Sequence, residues 1–292
     1  MTAIIIIMLI FLSSLKTYMI NIIKHEKNWE AKFNYVKYSD ALEITKDNNI
    51  DETSIYYDFG VSKEKLSPDE KLLKRVHLRA YNENGLKNTR INLIEGRIPK
   101  DENEIVISRM NASQLNLGEK LELTFNENTN TYIIVGLTEK LEEDDTPSMS
   151  DLRIGAITYL NEDSLKNDDI VHICITTKNI NKIYETVDKI INKLRLNDIP
   201  NIDNYSKEKI YFNEEDEALI KEISKEFGKE FNIKNEKETA TKEYENKINN
   251  KVEYNKEVLK YAGILKNDYT FRNTLFLIRK FICIHHNYYR DY

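Results

Sequence analysis

Apolar residues run almost unbroken from Ala3 to Leu15 and, past Lys16, continue to Ile23. That run approaches the roughly 20 residues a helix needs to cross a bilayer. No charge precedes Lys16 and no small-x-small cleavage site follows it, so a retained transmembrane anchor is expected rather than a cleaved signal peptide. From Trp29 the period changes. Residues 29–36 alternate large apolar and polar side chains, the pattern of a half-buried strand. Asp40 and Glu43 have capping-box spacing, which predicts a helix to about Lys46, broken at Asn48-Asn49. Residues 54–59 and 75–81 read as strands, with a turn at residues 82–85.

Residues 92–140 carry the densest succession of short elements. Leu93, Glu95, Gly96, Arg97 and Pro99 mark a bend, because Gly permits positive φ and Pro cannot continue a ladder. Residues 104–108 are β-rich, and Ser108 is placed to cap a brief helix through Leu115. A turn at Leu117-Gly118-Glu119 leads into residues 120–125, which alternate charged and apolar side chains. Residues 126–130 are polar enough for a hairpin loop, and residues 132–136 form a more buried strand.

Farther on, residues 154–160 and 170–176 predict two more strands. Asn179 caps an amphipathic helix in which Ile180, Ile183, Tyr184, Val187, Ile190, Ile191 and Leu194 share one face, ending near Asn197. Residues 213–260 are charged and carry a narrow helical seam through Leu219, Ile223, Phe227 and Phe231, then Tyr244, Ile248 and Val252.

Composition removes several function classes. The net charge of −6 offers no basic footprint for nucleic acid. Cys174 and Cys283 are the chain's two cysteines, too few for a disulfide scaffold or a cysteine zinc site, and Cys174 reads as a buried strand thiol. No P-loop, G-x-S-x-G or H-E-x-x-H pattern occurs. Glu142, Glu143, Asp144 and Asp145 lack the spacing of a calcium loop and read as solvated. Of His25, His77, His172, His285 and His286, only the last two are neighbours, and adjacent residues do not share a helical face. No catalytic, cofactor-binding or metal-ligating residue is nominated, and no cofactor or enzymatic activity is expected.

Taken in order, "L-x-E-G-R-x-P-x-x-x-N-E-I-V-I-S", a short helix, "L-x-L-G-E-K-L-x-L-T" and "Y-x-I-V-G" resemble the extracytoplasmic core domain of FtsX-like, MacB-type ABC transporter permeases. Residues 254–264 are similar to that family's approach to its second transmembrane helix. The apolar run from Asn273 then meets Arg279-Lys280, where the family continues, and the resemblance implies a tail truncated or frameshifted before the remaining helices. It also implies an α+β, membrane-anchored domain of two subdomains, a β-α-β porter-like layer and a β-rich insertion. The expected order is a transmembrane anchor at 1–24, an extracytoplasmic core at 25–212 with its β-rich part at about 92–140, a charged helical stalk at 213–262, and the start of a second transmembrane segment at 263–292.

Lys16, Lys24 and Lys27 follow the apolar run, which on charge alone favours a cytoplasmic location for that side. Long domains translocate largely regardless of charge, and the resemblance places the domain outside the cell membrane. The implied partners are a separate ABC ATPase, a second permease copy and the membrane, with no nucleic acid. The function implied is that of a permease subunit, coupling ATP hydrolysis to movement of the outer domain for export or substrate extraction. The alternative is a membrane-anchored extracellular binding or scaffold protein without transport activity.

Overall fold

The computed structural model describes residues 2–26, 28–62, 73–89, 91–110, 114–125, 127–141, 144, 151–196 and 251–265. The chain opens with helix α1 (Thr2–Glu26). Strand β1 (Ala31–Lys37), helix α2 (Tyr38–Thr45) and strand β2 (Ile50–Val61) follow. Next come β3 (Leu73–Tyr81), α3 (Glu83–Asn88), β4 (Leu93–Gly96) and β5 (Glu104–Ser108). After them are β6 (Lys120–Phe125), β7 (Asn128–Thr138), β8 (Asp151–Tyr159) and β9 (Ile170–Thr177). Helix α4 (Ile183–Leu194), β10 (Val252–Tyr254) and α5 (Lys256–Ala262) complete the described chain. Among the described residues, no helix is long and apolar enough to cross a membrane.

The fold is mixed α+β. Its described strands make one 10-stranded sheet in the order β10-β1-β9-β2-β3-β8-β5-β7-β4, with β6 also paired to β7. Strands β1 and β2 both run antiparallel to β9, which lies between them, so β1-α2-β2 is a split β-α-β unit. Helices α2, α4 and α5 supply Ala41, Ile44, Ile183, Val187, Ile190 and Leu259 to a core shared with Phe33, Ile55, Ile173 and Ile175. Helix α4 buries Ile183, Thr186, Val187 and Ile190, the one-face spacing read from the sequence, and so covers the sheet as expected.

The β-rich part packs a second core. Val76, Leu78, Ile105, Ile107, Leu123, Ile134, Leu137 and Ile154 belong to it, each essentially sealed from solvent. β5 is buried along nearly its whole length because β8 pairs one edge and β7 the other, which suits its β-branched run. That β8–β5 pairing joins the two expected layers edge to edge as one sheet.

Several local expectations are corrected. Asp40 is not a cap. Helix α2 begins at Tyr38 behind Lys37, so Asp40 sits inside the first turn, and Glu43 binds Lys46 and Lys193 instead. Burial of Tyr38, Ala41 and Ile44 sets the helix phase in place of the capping pattern. The turn at 82–85 is the start of α3, with the Asn82 side chain accepting from Gly85 N. The bend at 93–99 contains a short strand that ends at Gly96. The loop at 126–130 is shorter, since Asn128 already pairs with Phe125 and Glu127 takes φ 68.

Asn179 caps a 3-10 turn (Ile180–Lys182) before α4, and Arg195 ends the helix in the left-handed region. The seam expected through Val252 ends as strand β10, antiparallel to β1, so this end of the expected stalk is part of the sheet. The helix expected after Ser108 runs through residues 111–113, which lie outside the described residues; within them, Ser108 Oγ accepts from Met110 N. The rest of the stalk, up to Asn250, and the tail from Lys266 lie outside as well.

Candidate functional site: the root of the first helix

The short segment between α1 and β1 is tied to both ends of the described chain. Glu30 is 1% exposed. Its Oε2 accepts from Thr177 N at 2.9 Å and Thr177 Oγ1 at 2.6 Å, and its Oε1 accepts from Lys24 Nζ at 2.8 Å. Its backbone N–H donates to Ile175 O at 2.8 Å, continuing the β1–β9 ladder. On the other side, Asn255 N donates to Glu30 O at 3.0 Å, and Asn255 Nδ2 to Trp29 O at 3.0 Å. Asn255 Oδ1 in turn caps α5 by accepting from Val258 N at 3.3 Å. Lys32 Nζ lies 5.3 Å from the Trp29 ring centroid. The first and last described helices therefore enter and leave the domain at neighbouring strands, β1 and the edge strand β10, in contact with each other.

At the opposite edge of the sheet the segment that carries the resemblance is held by its own contacts. Arg97 makes a two-pronged bond to Glu104, Nη1 to Oε2 at 2.7 Å and Nη2 to Oε1 at 2.5 Å, and Lys100 N donates to Glu104 Oε2 at 2.9 Å. The Arg97 hydrogen bonds, then the Lys100 N–H, hold the Glu104 carboxyl at about 2. Because this value lies below the ordinary 4.5, the pair's support is complete above about pH 4.5 and is lost as pH falls through about 2. Carbon-detected NMR should show Glu104 titrating far below the other glutamates, and Arg97→Ala should return it to the ordinary range. A Glu104 midpoint near 4 in the parent chain would contradict the clamp.

The residues weighed for chemistry are dispersed. His77 Nε2 meets Asp58 Oδ1 at 3.1 Å and Arg79 Nε donates to Asp58 Oδ2 at 3.3 Å; burial pushes the His77 pKa down, opposed by Asp58. His172 bonds Asn34 through Nδ1 and stacks on Tyr56, ring centroids 4.6 Å apart. The Cys174 thiol is half-buried rather than buried, because its side chain lies on the sheet face away from the α2–α4 layer. Asp144, expected in a solvated loop, is 3% exposed and accepts from Leu141 N and Gly155 N. The other three acidic residues of that loop, and His285, His286 and Cys283, lie outside the described residues. Among the described residues, no group of three or more His, Cys, Asp or Glu is gathered as a metal site would require. Glu30 and Asn255 were not legible as site residues, since their partners lie far away in sequence.

No protein-family model and no curated protein matches the chain. Solved structures do, among them an extracellular domain and a periplasmic region. One is the extracellular domain of the noncanonic ABC-type transporter YknZ from Gram-positive bacteria, at 13% identity and TM-score 0.40, over 57% of this chain and 93% of that one. Another is the periplasmic region of MacB from Actinobacillus actinomycetemcomitans, at 14% identity and TM-score 0.37, over 58% of this chain and 84% of that one.

Proposed function

We propose that the chain is a permease subunit of an ABC transporter, a MacB-like domain held outside the cell by α1 and moved by a separate ATPase, with no catalytic step of its own. The observation that carries the anchor is the surface of α1. It exposes Ile6 (55%), Ile7 (66%), Ile10 (60%), Phe11 (64%), Leu15 (44%) and Ile22 (41%). At about 100° per residue these positions spread around roughly half of the helix. Leaving that many large apolar groups in water would forfeit on the order of 10 kcal/mol. Apolar side chains in such number belong in a core or a bilayer, and the described elements leave these ones exposed. Its length of 25 residues corresponds to about 37 Å.

The transport role, the ATPase and a second permease copy come from the ordered motifs of residues 92–140. Their bend, strands and turn fall at Gly96, β5, Gly118, β6 and β7. The test uses the full chain with Cys174→Ala and Cys283→Ala as background and a single reporter, Glu122→Cys, on the exposed side of β6. Expected are retention in the membrane pellet after alkaline carbonate, labelling by an impermeant maleimide on intact cells, and a cross-link to an ATPase. Release by carbonate, or labelling only after lysis, would sink the anchored extracytoplasmic reading. Retention without any ATPase cross-link would remove the transport role and leave an anchored binding domain.

A further inference from the structure

We infer that Glu30 and Asn255 form a joint that fixes the direction in which α1 and α5 leave the domain, with Lys24 as its hold on α1; its use in coupling rests on the reading of α1 as the anchor. The sequence would allow a loose connection here, because a charged, polar segment, His25-Glu26-Lys27-Asn28, separates the apolar run from β1. The geometry is instead that of a fixed one.

Glu30 divides its two carboxylate oxygens between two bodies. Oε2 is saturated inside the domain by the Thr177 N–H and hydroxyl, at the last residue of β9. Oε1 faces the other way and takes Lys24, which lies on α1. The carboxylate is 1% exposed and the lysine 25%, so the charge pair sits at the domain boundary with the acid on the inner side. A carboxylate needed only to close the end of β9 would be served by Thr177 alone. The same Lys24 side of α1 is drawn in. Met19, Ile20, Ile23 and Lys24 are partly covered, at helical spacing, while Asn21 and Ile22 are exposed, and α1 touches α5.

Asn255 completes the joint from the other chain end. One amide binds Trp29 O with its nitrogen and caps α5 with its oxygen, while its backbone N–H takes Glu30 O. Leu259, one turn into α5, is fully buried in the helix-covered core, so α5 cannot swivel about its cap without unpacking that core. A buried charge pair costs desolvation and is weak evidence for stability, whereas breaking one strands a buried charge. Its value here is geometric: α1, β1, β9 and α5 are tied at two adjacent residues.

The experiment places spin labels at Asn21→Cys on α1 and Glu185→Cys on α4, both exposed, in the Cys174→Ala, Cys283→Ala full chain, with Glu122→Cys and Glu185→Cys as a reference pair within the sheet domain. Pulsed electron resonance should give one narrow α1–α4 distance. Lys24→Ala, which leaves the Thr177 and Asn255 contacts in place, should lose that narrow peak while the reference pair keeps its distance. Glu30→Gln should do the same, because the amide still accepts from Thr177 but no longer pairs with the lysine. Asn255→Ala should broaden the distance as well; if it fails to fold, Lys24→Ala alone decides. A broad distance in the parent, or an equally narrow one in Lys24→Ala, overturns the joint. The measurement is made in detergent and needs no transport. A chain that fails the carbonate and labelling test can still show a rigid joint, and an anchored chain can still show a loose one.

Discussion

Phe33→Ala is expected to destabilise the domain by about 3–5 kcal/mol, against a total of about 5–15 kcal/mol for an ordinary domain. Phe33 is fully buried in β1, opposite Ile173 on one side and Val252 on the other, so its ring fills space between two strands under the α2–α4 layer. Removing it leaves a cavity where the sheet backbone on both sides is already fixed by hydrogen bonds, and little collapse is available. Ile133→Ala provides the contrast. Its side chain is 38% exposed, and the expected loss is about 0.5 kcal/mol or less. Urea unfolding of both variants tests the difference. Equal midpoints would show that the core has been placed on the wrong face of β1.

Gly96→Ala should cost about 3 kcal/mol or more, because left-handed strain and a backbone overlap fall on one residue. Gly96 has φ +85, and a Cβ there would lie 2.2 Å from Val135 O and 2.9 Å from Gly136 Cα. Both obstacles are main chain, so no side-chain rotation relieves them. Relief requires β4 to part from β7, and amide exchange at Arg97, whose N–H donates to Val135 O, should accelerate with it. Gly118→Ala separates the two causes. Gly118 has nearly the same φ of +82 but nothing within 4 Å of the new Cβ, so about 1–2 kcal/mol of left-handed strain is expected. Were both variants equally destabilised, the overlap would have no role.

Some of this fold was legible because the chain marks it locally. β5 occupies the β-rich run and β6 the alternating stretch read from the sequence, since Pro99 and Gly118 punctuate them. The β1-α2-β2 order was legible too, but not that β9 inserts between its two strands. Periodicity reports which face is covered and says nothing about which strand lies alongside, so the parallel β3–β8 and β5–β7 pairings had no sequence signal. β10 was read as helix because Tyr244, Ile248 and Val252 recur every fourth residue, while the edge of β1 overrides that spacing for its last member. The joint was invisible for a different reason. In a chain with 49 acidic residues nothing local distinguishes Glu30, and what makes it special is supplied by Thr177 and Asn255.

The unbroken pairing of the sheet has a mechanical consequence. From β1 to β7 the strand order takes six steps, each about 4.8 Å, so the β-rich edge stands about 29 Å from the strand that follows α1. A hydrogen-bonded ladder of that width is stiff across its strands, and it works as a lever arm with its fulcrum at the first edge. A tilt of about 10° imposed at β1 carries β7 through about 5 Å, roughly one strand spacing. The sheet's own twist, about 20–25° per step, also turns the far edge by well over 90°, so a rocking motion at one end emerges as a sweep in another plane.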